Sequence, residues 1–334
     1  MKVFITGIAG FLGHHLAIRM NDLGWEVAGN DSLIGGEVEN IPHFVEFHHI
    51  DCCDFDAMKS AMTDAKLVFH CAATAHEGLS VFSPSFITKN IFDASVTTFS
   101  AAVAVGVKRI VHCSSMARYG AQVPPFVETM EPMPVDPYGI AKVASEQVLD
   151  VLGRVHGIEW NIAVPHNIVG ERQKYDDPFR NVMSIMLNRN LRGLPAIIYG
   201  DGQQTRCFSY VSDCVTCLEQ LGTNPDVTSE IVNIGPDEET ITIDDLAALC
   251  AQETGINLPP IYYSAGRPQE VKHASCSSDK ARDLLGYETK MTTKEAVART
   301  AEWIRKSGPR EFNYHLPLEI VNEKTPKTWV ERQF

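Results

Sequence analysis

Tyr138 and Lys142 stand four residues apart, directly after Asp136-Pro137. A helix that starts at the proline puts phenol and ammonium on one face. An ammonium beside a phenol favours the phenolate and lowers a pKa that is normally ~10 toward working pH, which makes Tyr138 a candidate general base and acid. Taken alone, Tyr-x-x-x-Lys occurs in many helices. Upstream, the apolar run 109–113 leads into Ser114-Ser115-Met116-Ala117. A hydroxyl at the C-terminal end of a strand sits where ligands bind in an open α/β sheet, so Ser115 joins the pair.

A second group of residues offers a binding surface. Gly7, Gly10 and Gly13, with Phe11 and Leu12 between them, lie between a strand-like run and a helix-like one. Side chains there would block close approach of the backbone to a pyrophosphate, and the helix N-terminus supplies free N–H groups and a favourable dipole. The next strand-like run ends at Asp31, whose carboxylate can accept both hydroxyls of an adenosine ribose and would repel a 2′-phosphate. Residues 32–37 contain no Lys or Arg, so NAD is favoured over NADP.

These residues need a scaffold. The patterns predict strands over 3–5, 26–30, 44–48, 67–71, 109–113 and 160–164, with helices over 14–23, 86–105 and 137–152 between them. Strands separated by helices imply right-handed crossovers and a parallel, doubly wound sheet. From about 165 the alternation becomes irregular. The expected division is a dinucleotide-binding domain over 1–165 plus about 207–229, and a smaller discontinuous lobe from 166–206 and 230–320. A tail over 321–334 closes the chain. From Ser307 onward it is rich in Pro, Glu and Lys and has no clear period.

Composition sets limits. A formal net charge of −13 argues against nucleic acid and anionic membrane surfaces as partners. No apolar stretch reaches the length of a membrane span. Met1-Lys2 leads straight into the first strand with no signal peptide, and the nine cysteines form no regular framework, so the cytoplasm is expected. Cys214 and Cys217 lie on one apolar helix face and read as core rather than as a metal site.

In combination these motifs resemble the extended short-chain dehydrogenase/reductase family, nucleotide-sugar epimerase/dehydratase branch, typified by UDP-glucose/UDP-galactose 4-epimerase. The resemblance covers about 1–305. It rests on the glycine turn, Asp31, Asp51, Ala72-Ala73, Asn90, Ser115, Tyr138 and Lys142. Pro165-His166-Asn167, the run from Arg206 to Val211, and Gly266-Arg267-Pro268 complete it. It implies a Rossmann-type α/β fold, a homodimer, and Ser115, Tyr138 and Lys142 as the catalytic triad. NAD would be held by Gly7, Gly10, Phe11, Leu12, Gly13, Asp31, Asp51, Cys52, Ala72, Ala73, Asn90, Tyr138, Lys142 and Pro165. The nucleotide sugar, a UDP-sugar by preference, would meet His76, Ser115, Tyr138, Asn167, Arg206 and Arg267, the two arginines taking its diphosphate. No metal is implied.

The implied reaction is 4-epimerisation of a UDP-hexose or UDP-N-acetylhexosamine through a transient keto-sugar. The branch's 4,6-dehydratases carry an acidic pair where Met116 and Ala117 stand here, and its decarboxylases keep a Glu there, so both are disfavoured. A 4-reductase or dehydrogenase uses the same triad and stays as the alternative. An NAD-sensing scaffold would be expected to have lost part of it. Pro165 and His166 depart from the residues relatives commonly carry, leaving His166 either a packed core histidine or a second proton donor. Ala274, seven residues beyond Arg267, is small where epimerases that exclude bulk are large, which suggests room for an enlarged sugar.

Overall fold

The computed structural model describes residues 1–263 and 266–334. Seven strands lie parallel in one sheet: β1 (Lys2–Thr6), β2 (Glu26–Asn30), β3 (Glu46–His48), β4 (Ala65–His70), β5 (Arg109–Cys113), β6 (Glu159–Pro165) and β7 (Glu230–Ile234). Their spatial order is β7-β6-β5-β4-β1-β2-β3. A sheet covered on both faces needs strands that are apolar throughout, and all five residues of β5 are buried. Helices Phe11–Asp22 and Val211–Thr223 cover one face with Leu16, Met20, Val215 and Leu218. Met58, Phe99 and Leu149, from three further helices, build the core on the other. Cys214 and Cys217 are buried in the first of these layers.

The strand order reverses between β1 and β4. Crossovers leave in opposite directions from these neighbours, so their C-terminal ends open a crevice between the connecting loops. The threonine that ends β1 fixes the end of β4: Thr6 Oγ1 bonds His70 Nδ1 at 2.8 Å and accepts from Ala72 N at 3.1 Å.

Two sequence expectations need correction. The run from 230 does not open the smaller lobe; Glu230–Ile234 pairs in parallel with β6 as the edge strand of the central sheet. It completes the crossover through helix Val211–Thr223 and satisfies backbone groups that β6 would otherwise expose. The helix expected over 86–105 is also not continuous. Pro84–Thr88 and Ala94–Ala104 are joined by a widened π-helical turn, Lys89–Asp93, which contains Asn90.

The smaller lobe packs helices Val182–Leu191, Ile243–Thr254 and Thr293–Ser307 together. Thr205–Arg206 pairs with Ile241–Thr242 and His273–Ala274, and Ile197–Tyr199 with Ile261–Tyr263. Among the described residues no helix is long and apolar enough to cross a membrane.

Candidate active site

A cleft of about 450 Å³ opens at the C-terminal ends of β1, β4 and β5, and every site residue named from the sequence lines it. At one end the glycine turn allows a very close backbone approach. A Cβ on Gly13 would stand 2.2 Å from the Gly7 carbonyl oxygen, and Gly7 has φ +71°. The helix starting at Phe11 has no side-chain cap, so its first N–H groups are free for an anion. Asp31 is buried and accepts from Ala9 N at 3.0 Å and Leu33 N at 2.8 Å. Desolvation raises its pKa despite those bonds. Asn30 Oδ1 is buried with no partner among the described residues, an orphaned acceptor on the cleft wall. A glycine cradle, an uncapped helix and the Asp31 carboxylate at the end of β2 together fit a dinucleotide.

Two cations reach this end from the other lobe, which the local sequence around Asp31 did not show. Lys174 is engaged by Glu37 at 3.2 Å and Asp176 at 3.1 Å; Arg172 donates to the Glu39 carbonyl at 3.0 Å. Lys174 is held by two carboxylates and Arg172 is turned onto a neutral carbonyl, and neither bonds Asp31.

Further along stands the proposed triad. Asp136 caps the helix Pro137–His156 by accepting from Gly139 N at 2.9 Å. A Cβ on Gly139 would lie 2.8 Å from the Ala117 carbonyl, so only glycine lets this helix press against the Ser115 turn. Ser115 lines the same cleft as Tyr138, and its Oγ accepts from Ala117 N at 3.2 Å. Behind it a buried Arg118–Glu146 ion pair (3.0 Å) holds the turn to the helix. Lys142 donates to the Cys113 carbonyl at 2.7 Å, and its ammonium is 6.0 Å from the Tyr138 ring centre.

The expected lowering of the Tyr138 pKa does not occur in this state. Burial raises it well above the ordinary phenol value; the nearby Ser115 hydroxyl and Arg180 oppose this, while the Glu77 and Asp136 charges add to it. Lys142 is turned toward a carbonyl and is itself pushed down to about 8 by burial. Glu77 is open to the cleft but walled by protein. Burial and Asp136 push its carboxyl up to about 7 against the pull of Arg206 and Arg267.

At the far end, Arg206 (3.6 Å) and Arg267 (2.7 Å) converge on one carboxylate, Glu270. Two guanidinium groups on one carboxylate leave capacity for a second anion. Asn167 has φ +25°, rare for a non-glycine residue, and its amide is fixed to the Cys207 carbonyl at 2.9 Å. His76 Nε2 donates to Asp177 at 2.8 Å inside the protein, leaving Nδ1 buried and without a partner among the described residues. A side pocket of about 80 Å³, lined by Ser115, Met116, Asn167 and Ala274 among others, adjoins this end. His166 is elsewhere, packed under Gly235 and outside the cleft, and burial pushes it down to about 4. It is a neutral core histidine.

Sequence reasoning missed Asp177, Arg180, Tyr199, His315 and Trp329, all of which line or adjoin the cleft. The Asp-Asp-Pro-Phe-Arg run was the one available signal, because charged residues cluster there before a helix. The tail offered none.

A doubly wound sheet with a glycine turn at its switch point and Ser, Tyr and Lys beside it is a short-chain dehydrogenase/reductase architecture. A model of the NAD dependent epimerase/dehydratase family matches residues 3–235. UDP-glucose 4-epimerase of Mycolicibacterium smegmatis is 31% identical over 324 residues, which span 91% of this chain and 99% of that one. The crystal structure of UDP-glucose 4-epimerase from Thermotoga maritima with UDP-glucose superposes with a TM-score of 0.86 at 30% identity, covering 92% of this chain and 99% of that one. The UDP-glucose 4-epimerase of Thermus thermophilus in complex with NAD gives 0.86 at 27%, covering 92% and 100%. The chain belongs to the NAD dependent epimerase/dehydratase family.

Proposed function

We propose that this chain is an NAD-dependent 4-epimerase of a UDP-sugar, a hexose or an N-acetylhexosamine. One observation carries the reading: Ser115, Tyr138 and Lys142 share a single cleft with a dinucleotide cradle at one end and a two-arginine anion site at the other. When bound, NAD takes up the carbon-bound hydride and returns it. The chain's own groups do the rest. Tyr138 removes and restores the hydroxyl proton, Ser115 bonds the same oxygen, and Lys142 fixes the cofactor end and adds positive charge near the phenol. Asn167, Arg206 and Arg267 anchor the nucleotide diphosphate, so the keto-sugar can turn without leaving.

Met116 and Ala117 border the side pocket and carry no transferable proton, which favours epimerisation over dehydration. The same pocket, bounded by the small Ala274, favours a sugar with a 2-acetamido group. A reductase reading would need exchangeable cofactor. The test is to incubate the purified protein, without added cofactor, with UDP-, GDP-, dTDP- and CDP-sugars and read products by NMR. New epimers of UDP-sugars are expected. Dehydrated products, or turnover only with added NAD(P)H, would sink the reading.

Ile140, Val151 and Val155 are exposed along one helix, Pro137–His156, and fit a two-fold pairing with a second copy. A homodimer by light scattering is expected, and a monomer would refute this assignment. The nine free cysteines suit a reducing compartment such as the cytoplasm.

A further inference from the structure

Beyond Gly308 the chain forms only one short helix, Lys327–Val330, yet it is anchored at many points on both sides of the cleft. Asn313 N donates to the Asp176 carbonyl at 2.7 Å. On the dinucleotide side, the Glu319 carboxylate accepts from Ser85 N at 3.0 Å and Phe86 N at 2.9 Å, and Ser83 Oγ donates to the Pro317 carbonyl. The chain then returns to the smaller lobe. The Thr328 hydroxyl bonds that of Tyr199, and Arg189 donates to the Gln333 carbonyl at 3.0 Å. Between these anchors His315, Leu316, Trp329 and Phe334 enter the lining of the cleft.

Trp329 is the best-defined of the four. It is 3% exposed, and its ring stands edge-on to Phe82 at 5.8 Å and Phe179 at 5.1 Å, so its orientation is set by packing. A Cβ on Gly78 would meet both Arg267 (3.5 Å) and Trp329 (3.7 Å), which places the indole beside the anion-binding arginine. Its Nε1–H is buried without an acceptor among the described residues, as are Arg267 Nε and the free His76 nitrogen. A folded protein rarely leaves such groups unpaired unless a ligand completes them. The relatives compared above cover nearly all of their own length but only 91–92% of this chain, and the share left over is about the size of the tail.

We propose that the C-terminal tail is the outer wall of the nucleotide-sugar site and that Trp329 is its substrate-binding residue. The outer edge of the indole ring, which stands beside Arg267, packs against the junction of diphosphate and sugar and shields it from water. This rests on the reading of the cleft as a nucleotide-sugar site. It adds a residue from a part of the chain that the family motifs do not reach.

The test uses the full-length protein with its bound NAD, and UDP as the probe. Trp329→Phe keeps a ring in the aromatic cluster and withdraws the outer ring edge that stands beside Arg267. It is expected to weaken UDP binding by calorimetry about tenfold, and to raise KM for a turned-over UDP-sugar similarly, with NAD content and melting temperature unchanged. A second measurement needs no variant: saturating UDP is expected to slow tryptic cleavage after the exposed Lys324 at least severalfold. Unchanged affinity in Trp329→Phe, or a cleavage rate indifferent to UDP, overturns the inference and leaves the proposed reaction standing. A wild-type protein that binds UDP but epimerises no UDP-sugar removes the reaction, while the Trp329 comparison still reads the wall. Failure of the wild-type protein to bind UDP overturns both.

Discussion

Tyr138→Phe is expected to retain NAD while turnover falls on the order of 10³-fold, the usual scale for loss of a positioned acid–base group. The residue is 7% exposed in a small apolar cluster with Leu79, Ala141 and Phe179, so the benzyl ring of Phe fits the same space. What is lost is the hydroxyl and with it the route for the sugar proton. Retention of NAD follows because the glycine turn and Asp31 are untouched at the other end. Absorbance of released cofactor and NMR of the products check both halves. Unchanged turnover would remove Tyr138 from its role. The high phenol pKa of the ligand-free state matters here: Glu77 and Asp136 hold the proton on, so its release has to be driven by positive charge brought into the site.

Acidification from pH 7 to 5 is expected to destabilise the fold by several kcal/mol, a large share of the stability of a typical domain. Three fully buried histidines are responsible. His70 is held between Thr6 and Ser95 and stacked on His112 at 5.4 Å; His166 sits under Gly235. Burial pushes His70 down to about 3 and His166 to about 4, and His112 falls well below its ordinary value. Each protonates at about 6.5 in the unfolded chain, so the unfolded state binds protons first as the pH drops. The stability these neutral rings contribute is complete above 6.5 and is lost as the pH falls toward their folded values. The slope approaches about 1.4 kcal/mol per histidine per pH unit. Glu77 runs the other way between about 7 and 4.5, and the raised Asp31 and Asp136 carboxyls do so at lower pH, while the lowered His14 and His76 add to the loss. Urea unfolding at pH 7.5, 6.5 and 5.5 reads the effect. A flat midpoint would mean these rings accept protons in the native state.

Much of this was legible in the residues. Periodicity gave six of the seven sheet strands, because strands buried on both faces must be apolar runs. The edge strand Glu230–Ile234 escaped because a five-residue run flanked by polar loops looks the same whether it joins a sheet or a lobe. Chemistry set at short spacing was equally clear. Gly7, Gly10 and Gly13 form one turn, and Tyr138 and Lys142 one helix face, so local geometry alone brings each set together.

Groups that meet only across the fold were a different matter. Ser115 and Tyr138 come to line one cleft because the absent Cβ of Gly139 lets a helix close on the Ser115 turn. Burial by distant segments sets the pKa of Tyr138 in the opposite direction from the Tyr–Lys spacing. His76 and Asp177, 101 residues apart, become a buried pair, whereas His166, adjacent to the cleft-lining Asn167, turns into the core. The tail shows most plainly why tertiary structure had to decide. Its segments have no period of their own, since what orders them is contact with two other surfaces rather than hydrogen bonds within themselves. The sequence by itself determined the glycine turn, six strands of the sheet and the shared helix face of Tyr138 and Lys142. Only the folded chain decided what closes the cleft, because a long-range contact leaves no local pattern to read.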